Sequence, residues 1–124
     1  MYCNNGKNVN LYQIVLNMLP VISEMAKEYK ASLQSLYGNE LAELILFGSY
    51  ARGDYHEESD VDFAVVLRDP NTNAYSEIIK TNSISSQLWM KYGIPVSSVH
   101  MSLLKKQTSM QGIYQEIRKD GIII

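Results

Sequence analysis

The chain has 124 residues, 46% hydrophobic and 19% charged, which predicts one globular domain over residues 1–124 with a buried core. A formal net charge of −2 argues against an extensive nucleic-acid surface, and a lone cysteine, Cys3, excludes an internal disulfide and fits a reducing cytoplasm. No apolar run approaches the ~18 residues that cross a bilayer, and no basic-then-apolar start marks a secretory signal, so a cytoplasmic protein without membrane contact is expected.

Residues 1–8 are polar. From Val9 apolar residues recur at helical spacing (Leu11, Ile14, Val15 and Met18, then Ile22, Met25, Tyr29, Leu33 and Leu36), and Pro20 interrupts them. Proline breaks a helix interior but suits a first turn, so one helix ends near Leu19 and a second runs from Pro20 to Tyr37. Gly38-Asn39 closes it, and a strand follows over Ala42–Phe47. A short helical turn spans Ser49–Arg52, a loop reaches Ser59, and a second strand runs Asp60–Leu67. Asp69-Pro70-Asn71-Thr72-Asn73 carries turn chemistry. A helix over 74–92 ends before Gly93, and a third apolar segment covers Val96–Met101, with His100 read as a sheet histidine satisfied in the core. Ser102 caps a turn over Leu103–Lys106, a last helix spans Ser109–Lys119, and Ile122–Ile124 form a tail. Helices alternating with strands predict an α/β (α+β) fold, a small sheet covered by helices.

The chemistry concentrates in residues 47–62. The run Leu44-Ile45-Leu46-Phe47 breaks at Gly48-Ser49, and Asp60-Val61-Asp62 leads into Phe63-Ala64-Val65-Val66-Leu67. Strand alternation puts Asp60 and Asp62 on one face. Two adjacent carboxylates resist burial unless a cation or proton joins them, and oxygen-only ligands favour Mg2+ or Mn2+. A Gly-Ser pair leaving a strand for a helical turn lets backbone N–H groups and a hydroxyl approach an anion. If the two strands are neighbours, a phosphate cradle lies beside a metal clamp, as transfer from a nucleoside triphosphate requires. Arg52 either contacts the triphosphate or bridges to Asp54 or Glu58. His56-Glu57-Glu58 lacks the second histidine of a zinc motif and reads as a solvated loop; P-loop, serine-hydrolase and zinc-deaminase patterns are absent.

Gly48-Ser49, ten intervening residues and Asp60-Val61-Asp62 resemble the signature of the DNA polymerase β-type nucleotidyltransferases. The longer stretch Leu46-Phe47-Gly48-Ser49-Tyr50-Ala51-Arg52-Gly53…Ser59-Asp60-Val61-Asp62 is similar to their small prokaryotic branch, the minimal nucleotidyltransferases. The resemblance implies that fold, with a small mixed sheet, and transfer of a nucleoside monophosphate, AMP from ATP foremost, to a hydroxyl. Asp60 and Asp62 would be catalytic and metal-binding, and Gly48, Ser49 and Arg52 would hold the triphosphate. It further implies a helical HEPN-type partner protein, toward which such chains act as antitoxins, some by adenylylating a tyrosine. An acceptor site in so short a chain is small, shared within a homo-oligomer, or supplied by another polypeptide. Active members carry a third carboxylate on a later strand; here Pro95-Val96-Ser97-Ser98-Val99-His100-Met101 has none, and Ser97 or Ser98 stands in its place. That leaves open a slower or substrate-assisted enzyme, a carboxylate donated by a partner, or a nucleotide-binding module that regulates a partner by complex formation.

Overall fold

A computed structural model describes residues 19–124. The helix expected over Val9–Leu19 lies outside those residues, except for Leu19. Helix α1 (Pro20–Tyr37) begins with proline in its first turn and buries Ile22, Met25, Ala26, Tyr29 and Leu33 along one stripe. A short 3-10 turn (Gly38–Glu40) leads into β1 (Leu41–Phe47), and β1 into a one-turn helix α2 (Ser49–Arg52). Strand β2 (Val61–Leu67) follows, then helix α3 (Ala74–Tyr92), capped by the Asn73 side chain accepting from Ser76 N–H at 3.2 Å. Strand β3 (Val96–Ser102), helices α4 (Leu103–Thr108) and α5 (Gly112–Asp120) and a two-residue strand β4 (Ile122–Ile123) complete the order.

The sheet runs β3-β2-β1-β4. β1 is antiparallel to both β2 and β4, whereas β2 and β3 are parallel, joined by α3 as a crossover. The mixed sheet covered by helices is the α/β (α+β) architecture that the sequence predicts. β2 is central, so both its faces are buried and its sequence is almost unbroken in apolar residues. On one face Leu44, Leu46, Val61, Phe63, Val65 and Leu67 pack against α1 and Leu88 of α3. On the other, Ile45, Phe47, Ala64 and Val66 meet Met101 and Ile117 of α5. Each fully buried large apolar side chain here contributes about 1.5–3 kcal/mol.

Several boundaries differ from expectation: β1 starts at Leu41, β3 ends at Ser102, α4 continues to Thr108, and α5 spans Gly112–Asp120 rather than Ser109–Lys119. β2 starts at Val61, which leaves Asp60 just outside the strand. Ile122–Ile124 is no free tail: Ile123 and Ile122 pair with Ile45 and Leu46, and Ile124 N–H donates to Leu44 O at 2.9 Å. Two residues are too few for a period to register in sequence, yet the open edge of β1 needs partners for its backbone groups.

His100 is only half satisfied. Its Nε2 lies 3.0 Å from Thr81 Oγ1, and Thr81 Oγ1 in turn donates to Glu77 O at 3.0 Å. One hydroxyl proton cannot serve both, so Nε2 carries the proton and donates, leaving Nδ1 buried without a partner among the described residues. Burial lowers the His100 pKa below 6.5, opposed by the nearby Glu77 charge. The neutral ring therefore stabilises the fold above pH 6.5, and this contribution fades as pH falls through the lowered value. Denaturant titrations at pH 8 and pH 5.5 should show wild-type stability falling more than that of His100→Gln; equal losses would contradict this assignment.

Candidate active site

The β1–β2 register sets the site. Phe47, the last residue of β1, pairs with Asp62 in β2, so the turn leaving β1 lies beside the carboxylate entering β2. Gly48 adopts φ +75°, a left-handed conformation, and a Cβ added there would collide with Asp62 Oδ2. Glycine is required twice over, by backbone conformation and by the close approach of the carboxylate. Gly48 O then accepts from Ala51 and Arg52 N–H at 3.1 and 3.0 Å, turning the chain into α2. The opening N–H groups of such a turn have no partner within it, and Ser49 adds a hydroxyl beside them.

A cavity of about 480 Å³ opens at this point, within the ~300–1,000 Å³ range of small-molecule sites. All five residues singled out from sequence line it: Gly48, Ser49, Arg52, Asp60 and Asp62. So do Ser59 and Glu116. Ser59 is buried, and its hydroxyl accepts from His56 N–H at 2.9 Å, which folds the loop back toward β2. The solvated loop residues His56 and Glu58 reach the rim, and Glu58 N–H donates to His56 Nδ1 at 3.2 Å.

Charge in the cavity is unbalanced. Asp54, Glu58, Asp60, Asp62 and Glu116 supply carboxylates, against the single guanidinium of Arg52. Burial, then the charges of Asp60 and Glu116, raise the Asp62 carboxyl above the usual carboxylate range, with Arg52 opposing them. Arg52 itself bridges Asp54 (Nε to Oδ2, 3.2 Å) and Glu116 (Nη1 to Oε2, 3.1 Å). Of the two expected bridging partners the structure shows Asp54, and Glu116 replaces Glu58. Both bridges are exposed to solvent, where such pairs are weak, so a phosphate could compete for the guanidinium.

The parallel β2–β3 ladder separates the two serines of β3. In the parallel β2–β3 ladder Asp62 is in register with Ser97, and Phe63 with Ser98. Ser97 therefore shares the face of Asp62. Ser98 turns to the opposite face, where its hydroxyl lies 2.8 Å from that of Tyr29. Among the described residues, no group of three or more His, Cys, Asp or Glu side chains could hold a metal alone. Oxygen donors from Asp60 and Asp62 fit Mg2+ or Mn2+ that takes its other ligands from phosphate and water, the usual mode for magnesium on nucleotides.

Glu116 was not legible in the sequence. It belongs to α5, far along the chain from the Asp-x-Asp pair, and only packing shows which way it faces. Ile117 is buried beside Ile45 and Phe47, and Gly121 abuts Ile45 Cγ2 so closely that a Cβ would clash. These contacts seat α5 against β1 and carry its preceding residue to the cavity edge. The helix expected over 109–119 was the available signal, and it did not say which of its residues faces the cavity.

Residues 26–118 match the family model described as a nucleotidyltransferase domain. Over 102 residues the chain is 36% identical to the candidate protein adenylyltransferase MJ0141 of Methanocaldococcus jannaschii, covering 82% of this chain and 96% of that protein. A second candidate protein adenylyltransferase of that organism, MJ1379, is 32% identical over 101 residues, 80% of this chain and 99% of that protein. Among solved structures, a toxin–antitoxin assembly crystallised with AMP-PNP superposes with a TM-score of 0.54 at 23% identity, over 77% of this chain and 68% of that one. A candidate nucleotidyltransferase from Sulfolobus solfataricus gives 0.51 at 21% identity, over 97% and 90% of the two chains. At such identities the structural likeness is one of fold.

Gly48→Ala should cost about 1–3 kcal/mol from backbone strain, with the collision at Asp62 added. Denaturant unfolding of Gly48→Ala, Asp62→Ala and the double variant separates the two parts. The double variant should recover the collision but not the strain; additive losses would show that the carboxylate does not crowd Gly48.

Proposed function

Because this chain belongs to the nucleotidyltransferase domain family, with the polymerase β-like fold of the minimal nucleotidyltransferases, we propose that it transfers a nucleoside monophosphate, AMP from ATP, to a hydroxyl group. The observation that carries this reading is the shared cavity of Gly48, Ser49, Asp60 and Asp62. Support for AMP comes from the protein adenylyltransferase names of its relatives. Support for a partner protein comes from the toxin–antitoxin assembly of like fold. The acceptor is then a hydroxyl on a helical HEPN-type protein, and the chain acts as its antitoxin.

The chemistry follows from charge. A triphosphate entering a cavity lined by five carboxylates and one guanidinium meets net repulsion, so it must enter with cations. Asp60 and Asp62 would hold Mg2+ or Mn2+ on the triphosphate oxygens. Such an ion, when bound, neutralises charge that develops on the phosphates during transfer. The Ser49 hydroxyl and the opening amides of α2 hold the phosphate chain from the other side, and Arg52 leaves its carboxylate bridges to pair with it. Positioning and charge compensation account for most of the catalysis of phosphoryl and nucleotidyl transfer.

A second reading is favoured by one observation. Ser97, a neutral side chain, stands in register with Asp62 where active relatives of this fold would carry a carboxylate. In that case the chain binds nucleotide and controls its partner by complex formation without turnover.

Purified chain, radiolabelled ATP, Mg2+ and the product of the adjacent coding sequence distinguish the two. Transfer predicts label on the partner with a mass gain of one AMP, loss of label with EDTA, and at least a ~100-fold loss in Asp62→Asn. An unmodified partner in a stable complex, with no pyrophosphate released, contradicts transfer and supports the binding module.

A further inference from the structure

Every carboxylate of the cavity other than Glu116 lies on β2 or on the irregular segment leading into it. Asp54 and Glu58 belong to that loop, and Asp54 is largely exposed. Glu116 comes instead from α5, which is docked on β1 through buried Ile117 and through Gly121 against Ile45. Its carboxylate is thus delivered by a packed helix, as a group that must hold its place during chemistry should be. In the structure Glu116 Oε2 accepts from Arg52 Nη1 at 3.1 Å, so one guanidinium links it to the α2 turn that starts at Ser49. Strand β3 offers no acid, since Ser97 is neutral and Ser98 is turned to Tyr29.

We propose that Glu116 is a further catalytic residue, the carboxylate that takes the proton from the acceptor hydroxyl and so replaces from α5 the acid that β3 lacks. This inference rests on the nucleotidyl-transfer reading above. When the triphosphate draws Arg52 onto its phosphates, Glu116 loses its cation and is left as a free carboxylate at the cavity edge. The acceptor oxygen forms a bond to the α-phosphorus as its proton passes to Glu116. The bond from the α-phosphorus to the bridging oxygen breaks, and pyrophosphate leaves with that electron pair. Glu116 then returns the proton to water.

The test uses the transfer assay with the HEPN-type partner, alongside calorimetry with Mg2+ and ATP. Glu116→Gln removes a negative charge from the cavity, so ATP should bind as tightly as to wild type or tighter. The rate of AMP transfer should fall about 100-fold or more, the scale of a lost general base. In Glu116→Ala, added formate should restore transfer in proportion to its concentration, and Ser97→Asp placed on Glu116→Gln should recover at least about tenfold. Three results overturn the proposal: a wild-type rate in Glu116→Gln, a parallel loss of ATP affinity that marks Glu116 as only positioning Arg52, or no rescue by either formate or Ser97→Asp. Transfer that Asp62→Asn abolishes while Glu116→Gln leaves it intact would sink this inference and spare the transfer reading. No transfer by wild-type protein would sink both.

Discussion

The close approach of the Asp62 carboxylate to the backbone of Gly48 is the constraint on which the site depends. It follows from one pairing, Phe47 with Asp62, at the end of the antiparallel β1–β2 ladder. A slip of one residue would turn every side chain of β2 to the other face. Phe63 and Val65 would leave the face covered by α1 and α3, and Asp62 would enter it. The apolar residues on both faces of β2 therefore hold the register, and the register holds the carboxylate at the turn. Core packing and site geometry are two consequences of one alignment, and a glycine at position 48 is what permits it.

That alignment gathers like charge. Asp60 and Asp62 stand together at the mouth of β2, with Glu116 near enough to raise Asp62 further. The fold tolerates this because the site lies at the ends of two inner strands, where Asp60 is exposed and water can screen the charges. Desolvation by a ligand would sharpen the repulsion, so only a ligand that brings cations relieves it. On the proposed reading a nucleoside triphosphate with a divalent ion would meet that requirement, and the amides and hydroxyl at Gly48-Ser49 would hold its phosphates.

Much of this was legible in the sequence, for identifiable reasons. Helix α1, β1, β2 and the α2 turn are marked by strong periodicity and by proline and glycine at their ends, and local signals of that kind survive folding. The grouping of Gly48, Ser49, Arg52, Asp60 and Asp62 was legible because two adjacent strands and one loop bring all five together. What escaped reading depends on contacts between distant segments. Ile122–Ile123 form a strand only because β1 offers an open edge, and no two-residue stretch announces that alone. Choosing between Ser97 and Ser98 needed the parallel register of β3. Glu116 needed the docking of α5, and the open valence of His100 needed the tautomer that Thr81 imposes.

The most direct test of the central claim is a crystal structure with a non-hydrolysable ATP analogue and Mn2+, the ion located by its anomalous scattering. Manganese should lie between the carboxylates of Asp60 and Asp62 and the triphosphate, with the phosphate chain against the backbone of Ser49. Manganese at other residues, or a triphosphate bound away from the Gly48-Ser49 turn, would contradict a shared cradle and clamp.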